Sequence, residues 1–241
     1  MFTLKAHLYN QFVNIYALEE YSGQEYITKL CEKAITNKVA SITILPKHIN
    51  QAWEILKGSQ VKISCAINFP HGDESLQDIE TETRMLYESG VDEIELVIPY
   101  KNFIHQNNLN EIINCVNLVK DIILERKALR INIEAPLLGS SLYIHQVCQA
   151  ILSLGINFIK NATPLSANTS LLQINAILEK IEISKIDCGL DVHIDEHSFA
   201  LIPDIINLQK IIMPKIKNFT KRNLRFSLSL ENFEKLSDLK S

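Results

Sequence analysis

The chain has 241 residues, of which 46% are hydrophobic and 22% are charged, and its formal net charge is −4 at pH 7. This length and composition predict one sizeable folded domain over residues 1–241, not a disordered or fibrous chain. The slightly acidic balance argues against a protein that wraps nucleic acid or binds an anionic membrane surface, so small molecules are the expected ligands.

The five cysteines are scattered and lack the paired spacing of a zinc site or of a disulfide framework. They are therefore expected to be reduced thiols in a cytoplasmic protein. Residues 1–9 lack the apolar centre of a signal peptide, and no segment is long and apolar enough to cross a bilayer. These features predict no membrane partner, and they are compatible with a homodimer.

Short, β-branched apolar runs recur along the chain and predict buried strands. In chain order these runs are residues 39–45, 61–68, 93–99, 129–135, 157–161 and 186–192. Segments with apolar residues at helical spacing lie between them, for example residues 27–34, 112–122 and 171–178. The chain therefore alternates between strand and helix, without a linker or an internal repeat.

Capping residues support several of these boundaries. Gly90 and Gly155 each follow a helical segment, where glycine can adopt the left-handed conformation that ends a helix. Asp195 can cap the next helix, with Glu196 as the acid in its first turn. Residues 100–101 are expected to form a loop at the end of the sheet.

Almost continuously apolar strands are typical of parallel sheets covered by helices, and this many alternations predict a closed TIM (β/α)8 barrel. A doubly wound open sheet is the alternative. It would require a glycine-rich phosphate turn after the first strand, but none of the seven glycines forms a GxGxxG motif. The absence of this turn favours the barrel.

Lys160 ends one of the apolar runs and is followed by small polar residues. A lysine at the end of a buried strand loses hydration, which lowers its pKa and favours the neutral amine. A neutral amine can attack a carbonyl and form a Schiff base, so Lys160 suggests that reaction class. The alternative is that Lys160 only carries its charge out of the core.

Reactive groups of a TIM barrel gather at the carboxyl ends of the strands. Glu95 lies on the same side of its strand as Glu93, and a carboxylate inside a barrel requires a cation such as Lys160. The alternative is that Glu93 and Glu95 lie at a frayed edge of the sheet, with their carboxylates in water. A second acid, Glu134, is expected to flank the same amine from the adjacent strand and to help handle protons. Four polar residues at strand ends are expected to bind the substrate: Asn14, Thr43, Asn68 and Glu134.

Five segments of the chain form a specific set: residues 67–72 (INFPHG), 83–84 (TR), 90–100 (GVDEIELVIPY), 133–134 (IE) and 157–160 (NFIK). Together they resemble deoxyribose-phosphate aldolase in residues, order and spacing. Each segment alone is a weak signal, but their joint occurrence is specific. The resemblance covers about residues 10–165 and is weaker beyond them.

This resemblance implies a TIM-barrel aldolase that uses neither a metal nor an organic cofactor. Lys160 matches the Schiff-base lysine, and Glu95 matches a proton-relaying aspartate but is one methylene longer. Asn14 falls where relatives carry an aspartate, and Thr43 falls where some carry a cysteine. The implied reaction is the reversible cleavage of 2-deoxy-D-ribose 5-phosphate to acetaldehyde and glyceraldehyde 3-phosphate.

The seventh and eighth strands depart from the family pattern, which places a second lysine on the seventh strand and a phosphate-binding Gly-Gly turn after it. This chain has no lysine at the expected position, Cys188 or Gly189, and Lys185 lies toward the other end of the strand. Asp191 would put a negative charge where the phosphate is expected, and Ser227 replaces a glycine. These changes are expected to weaken both catalysis and phosphate binding.

Three hypotheses follow. The first is a Schiff-base aldolase that acts on a small aldehyde or sugar phosphate, with Lys160 and Glu95 as catalytic residues. The second is a relative with impaired catalysis that keeps the barrel as a binding scaffold. The third is an aldolase for a different, unphosphorylated aldehyde. His71 and His193 receive no role, because a lone loop histidine is usually structural.

Overall fold

Eight parallel strands form a closed barrel in the computed structural model, which describes residues 10–166, 169–213 and 223–238. Each strand pairs with the next in chain order, and the eighth closes the ring by pairing with the first. The predicted TIM (β/α)8 barrel is therefore confirmed. Residues 1–9, where the sequence predicts no signal peptide, lie outside the described ranges.

The strands and helices follow one another in regular alternation. The strands are β1 Val13–Ala17, β2 Ser41–Ile44, β3 Lys62–Ile67, β4 Glu93–Val97, β5 Ala128–Asn132, β6 Phe158–Lys160, β7 Gly189–His193 and β8 Leu224–Ser229. The helices are α1 Gln24–Asn37, α2 Ile49–Leu56, α3 Leu76–Glu88, α4 Tyr100–Gln106, α5 Asn110–Ile123, α6 Ala135–Leu138, α7 Ser141–Leu152, α8 Leu171–Ser184, α9 Ile202–Ile212 and α10 Leu230–Asp238. No helix within the described ranges is long and apolar enough to span a membrane.

Each of the six predicted runs overlaps a strand but extends past it by up to three residues, as residues 186–188 do before β7. Residues 100–101 begin helix α4 and do not form a loop, because Tyr100 and Phe103 are spaced to pack together into the core. Glu134 does not belong to β5, which ends at Asn132. Its backbone is left-handed, with φ of +50°, and Pro136 in the first turn of α6 starts a new helix.

The predicted caps are present. Gly90 and Gly155 have φ values of +82° and +70°, in the left-handed region that glycine tolerates. The carboxylate of Asp195 accepts a hydrogen bond from the backbone N–H of Ser198 at 2.9 Å, and the Ser198 hydroxyl bonds back to the N–H of Asp195 at 2.9 Å. This reciprocal cap begins a 3-10 turn, Glu196–Leu201, that leads into α9.

Alternation along each strand separates an apolar outer face from a polar inner face. The outer residues, such as Ile94 and Ile159, are fully buried against the surrounding helices. The inner residues include charged side chains, and two of these, Arg130 and Lys160, are among the largest fully buried side chains of the described residues. The barrel is therefore held by a conventional core outside and by a polar network inside.

Gly72, at the end of the INFPHG segment, is held at a tight contact. A Cβ atom at this position would lie 2.2 Å from the backbone oxygen of Ile98, and φ is +67°. We expect Gly72→Ala to lower the free energy of unfolding by about 1–3 kcal/mol more than Gly58→Ala, because only the first change adds a clash. Gly58 also has a positive φ, +82°, but has no atom within 4 Å of the added carbon.

Urea denaturation of both variants checks this expectation. Equal losses of stability in the two variants would contradict the close approach at Gly72.

Candidate active site

Lys160 and Glu95 meet inside the barrel, as the sequence predicts. Lys160 is the last residue of β6, and both side chains are fully buried. The Nζ atom of Lys160 donates to Oε1 of Glu95 at 2.7 Å. This geometry disagrees with the alternatives of a solvated lysine and of a frayed acidic edge.

Arg130 of β5 connects this pair to two more acids. Its guanidinium lies 3.2 Å from Oε2 of Glu95, 2.6 Å from Oε2 of Glu93 and 2.9 Å from Oδ2 of Asp191. Arg225 of β8 also bonds to Glu93, at 2.5 and 2.7 Å. Together with Lys160, these residues form the interior ion network: three cations facing three anions.

The electrostatic effect of this network is strongest on Glu93. Burial by itself would raise the pKa of this carboxyl, but the guanidinium groups of Arg225 and Arg130 outweigh burial and lower the pKa to about 2. Glu93 is therefore an ionised structural anion at neutral pH, and the proton-accepting role falls to other groups.

Asn14 and Thr43 lie close to the ion network, but their polar atoms bond to the barrel itself. The Oδ1 atom of Asn14 accepts from the hydroxyls of Ser41 at 2.7 Å and Thr43 at 3.0 Å. Its Nδ2 atom donates to Ser227 at 2.9 Å. The Thr43 hydroxyl also lies 3.5 Å from Arg130. These contacts tie β1 to β2 and β8.

Asn68 and Glu134 hold loops above the barrel. The side-chain amide of Asn68 donates to the backbone oxygen of Val97 at 2.8 Å, and its Oδ1 accepts from the backbone N–H of Glu74 at 2.9 Å. Glu134 accepts from the backbone N–H of Thr163 at 2.7 Å. Burial raises the pKa of Glu134, while the nearby charge of Lys160 lowers it more weakly. Within the described contacts, Glu95 is the carboxylate that pairs with Lys160.

Proteins with similar sequences are named deoxyribose-phosphate aldolase. The one from Caldicellulosiruptor saccharolyticus is 26% identical over 179 residues, which cover 73% of this chain and 80% of that protein. The one from Metamycoplasma hominis is 28% identical over 180 residues, which cover 75% and 79%. Over about three quarters of its length, the chain is therefore similar in sequence to proteins named deoxyribose-phosphate aldolase. No model of a known protein family matches it.

Solved structures that carry the deoxyribose-phosphate aldolase name share the barrel. A candidate deoxyribose-phosphate aldolase of Toxoplasma gondii ME49 superimposes with a TM-score of 0.87 at 17% identity, over 99% of this chain and 94% of that chain. The deoxyribose phosphate aldolase of Aeropyrum pernix, described as a tetramer, gives 0.77 at 14% identity, over 98% and 93%. At these identities the likeness establishes the fold alone.

Strand β7, which is expected to depart from the deoxyribose-phosphate aldolase pattern, places an acid beside Lys160. In the pairing of β6 with β7, Lys160 lies opposite Asp191, while Gly189 lies opposite Phe158. Asp191 is fully buried, so its charge lies inside the barrel, bonded to Arg130 and to Ser227.

Lys185 occupies the opposite end of the barrel from the amine. It follows α8, and its largely exposed side chain pairs with Glu182 at 3.7 Å, before the amino end of β7. Lys160 ends a parallel strand and so lies at the carboxyl end. Lys185 therefore does not stand in for a second lysine.

A cavity of about 870 Å³ opens at the carboxyl ends of the strands. Two aromatic rings form its base, on the side that faces Lys160. The rings are those of Tyr16 and His193, with centroids 5.6 Å apart. The Nζ atom of Lys160 lies 5.9 Å from the Tyr16 centroid. Sequence reasoning assigned no role to either residue, although both occupy the inward-facing register of their strands at the mouth.

His193 is held neutral by its surroundings. Burial chiefly, and the charge of Lys160 in addition, lower its pKa from 6.5 to about 4. The unfolded chain therefore binds more protons between these values, so the contribution of this residue to stability is complete above pH 6.5 and is lost as the pH falls toward 4.

We expect the wild type to lose up to about 3 kcal/mol of unfolding free energy over this window relative to His193→Gln, which does not titrate. Urea denaturation at several pH values gives the difference, and His71→Gln, a change of an exposed histidine, serves as the control. If the unfolding free energies of wild type and His193→Gln changed in parallel with pH, the imidazole would have the same pKa in the folded and unfolded states, which would contradict this expectation.

Proposed function

We propose that this chain is a Schiff-base aldolase in which Lys160 is the nucleophile and Glu95 transfers protons. The observation that carries the proposal is the fully buried contact of 2.7 Å between Nζ of Lys160 and Oε1 of Glu95, below a cavity at the carboxyl ends of the strands. An amine in this position is excluded from bulk water and contacts a carboxylate that can accept its proton.

In the proposed mechanism, Glu95 first accepts a proton from the Lys160 ammonium, which leaves a neutral amine. The amine attacks the carbonyl carbon of the donor aldehyde and passes one of its own protons to the oxygen. Glu95 returns the other proton to this oxygen, which leaves as water, and an iminium ion remains. Glu95 then takes a proton from the adjacent carbon, which gives an enamine. This carbon attacks the acceptor aldehyde, Glu95 gives its proton to the acceptor oxygen, and water adds to the resulting iminium ion, releases the product and restores the ammonium of Lys160.

The proposed donor is acetaldehyde, and the proposed product is a 2-deoxy sugar of the 2-deoxy-D-ribose type, of which the 5-phosphate is the form that the relatives' name denotes. Arg130 bonds to Oε2 of Glu95 at 3.2 Å and so sets the position of this carboxylate. Binding of substrate by Asn14, Thr43, Asn68 and Glu134 stays a prediction, and their existing bonds suit them to positioning the barrel and its loops.

Incubation with acetaldehyde and sodium borohydride tests the proposed nucleophile. Reduction of the imine fixes an ethyl group on the lysine, and peptide mass spectrometry locates it. We expect the label on Lys160, because other lysines of the described residues lie outside the barrel interior. Labelling confined to other lysines would overturn the proposal.

Glu95→Gln is expected to lower turnover of 2-deoxyribose substrates by about 10²- to 10⁴-fold, since the amide cannot accept the ammonium proton. The variant keeps the size of the side chain and a hydrogen-bonding group beside Lys160. Steady-state kinetics with acetaldehyde release as the readout measure the loss. Glu88→Gln, at an exposed site in α3, is the control, and equal rates in the two variants would remove Glu95 from the mechanism.

A barrel that binds ligands without turnover is the second candidate. The observation in its favour is that Lys160 has no exposed surface and that Arg130 competes for the same carboxylate of Glu95. Under this reading acetaldehyde and borohydride leave Lys160 unlabelled, while the folded chain is unaffected.

A further inference from the structure

The cavity above Lys160, which we call the mouth cavity, is formed by loops that follow most of the strands. Tyr16 and His193 lie at its base, and Phe69 and Leu165 contribute apolar walls. Its volume of about 870 Å³ is ample for a small sugar or aldehyde. The proposed route of a substrate carbonyl to Lys160 runs through this space.

The charged groups of the mouth cavity are acids. Its described lining contains Glu19, Glu20, Asp195 and Glu231, and no lysine or arginine. Burial opposes ionisation of Asp195, but hydrogen bonds from Ser198 lower its pKa below the ordinary value. A phosphate dianion in this cavity would face several carboxylates without a cation in the described lining.

Two lysines near the rim are already engaged. Nζ of Lys47 donates to the backbone oxygen of Glu20 at 2.5 Å, and Lys235 forms an ion pair with Glu196.

Three helix starts near the mouth cavity are capped by the protein's own side chains, which removes these backbone sites for an anion. The start of α1, after Gly23, has no side-chain cap, but it follows the acids Glu19 and Glu20 of the lining. The N–H of Ser198 bonds to the Asp195 carboxylate at 2.9 Å. The N–H of Asn232 bonds to the Ser229 hydroxyl at 3.1 Å, and that of Gln173 bonds to the Ser170 hydroxyl at 3.4 Å.

At the base of this cavity, the imidazole of His193 has a nitrogen without a hydrogen-bond partner among the described residues. Its side chain is about 95% buried, and within the described residues Nδ1 has no hydrogen-bond partner. Its backbone is fixed, because its N–H donates to Asn161 at 2.7 Å and its carbonyl oxygen accepts from Thr169 at 2.6 Å. The imidazole therefore offers a positioned, unfilled hydrogen-bonding site beside the route to Lys160.

We propose that the mouth cavity binds an unphosphorylated, hydroxylated acceptor aldehyde, with the imidazole of His193 bonded to one of its hydroxyl groups. The inference rests on the proposed aldolase function and names its substrate class. The acids exclude a phosphate, the aromatic and apolar walls cover the carbon chain, and His193 selects for a hydroxyl.

The first test compares acceptors in aldol addition with acetaldehyde. We expect kcat/KM for D-glyceraldehyde to exceed that for D-glyceraldehyde 3-phosphate by at least about tenfold. Glu19→Lys, which places a cation in the lining, should narrow this ratio, whereas Glu88→Lys, an equal charge change on α3, should leave it unchanged. A preference for the phosphorylated acceptor, or equal use of both, would overturn the inference.

The second test isolates His193. In His193→Ala we expect kcat/KM for D-glyceraldehyde to fall by about tenfold while kcat/KM for propanal, which has no hydroxyl, changes by less than about twofold. His193→Gln should restore part of the loss. An equal fall for both acceptors in both variants would indicate a structural role for His193 and contradict the assignment.

Borohydride labelling of Lys160 with acetaldehyde alone separates the two levels of inference, since this donor needs neither the acids nor His193. If Lys160 of the wild type is not labelled, both the proposed aldolase function and its substrate class are wrong. If Lys160 is labelled but the enzyme prefers the phosphorylated acceptor, only the proposed substrate class is wrong.

Discussion

Lys160→Ala is expected to abolish borohydride-dependent labelling by acetaldehyde and to lower aldol turnover by at least about a thousandfold. Alanine has no amine, so the covalent intermediate cannot form. Labelling is read by mass spectrometry of the peptide that contains residue 160, and turnover by acetaldehyde release from 2-deoxyribose and its 5-phosphate.

Lys160→Arg is the matched control for this change. Arginine keeps a positive charge beside Glu95, but its guanidinium stays protonated and forms no imine. We expect this variant to be as inactive as Lys160→Ala while it retains more of the stability that the contact with Glu95 provides. Substantial cleavage activity in either variant would show that another residue is the nucleophile.

Arg130→Met is expected to lower the free energy of unfolding by about 3–5 kcal/mol. Glu95 keeps Lys160 and Glu93 keeps Arg225, but Asp191 would retain only the hydroxyl of Ser227 among its described partners. A buried carboxylate without a cation is costly, and methionine fills the space without replacing the charge. Urea denaturation at pH 7 measures the change.

Arg126→Met provides the comparison on the surface. Arg126 is exposed and donates to the hydroxyl of Tyr87 at 2.8 Å, so its loss is expected to cost less than about 0.5 kcal/mol. Adding Asp191→Asn to Arg130→Met should recover part of the stability, because it removes the stranded charge. A loss below about 1 kcal/mol for Arg130→Met would contradict the bridging role of the guanidinium.

The barrel and the pairing of Lys160 with Glu95 are predictable because they depend on local patterns. Apolar runs separated by amphipathic segments define the alternation, and a strand's period of two places Glu93 and Glu95 on one side. The rule that reactive groups gather at carboxyl ends then brings Lys160 to the same region. These steps require no knowledge of the stagger between strands.

Arg130 and Tyr16 were missed, and Asp191 was predicted at the phosphate site and not beside Arg130, because their roles depend on that stagger. Arg130 lies within a predicted apolar run, and only its alternation with Asn132 signals an inward-facing polar side. The position of the family's second lysine was predicted at Cys188 or Gly189, but the residue that the strand pairing places opposite Lys160 is Asp191. Glu134 lies in a predicted strand but precedes a helix. The signal for this helix is Pro136, since proline is favoured in the first turn of a helix.

The matched charges inside the barrel constrain how this sequence can diverge. Neutralising one of the six partners alone leaves the buried network with an unbalanced charge, so substitutions there are expected to be tolerated in compensating sets. An acid at position 191 is then inseparable from a base at position 130. In homologous chains these two positions should covary, with a neutral residue at one accompanied by the loss of charge at the other.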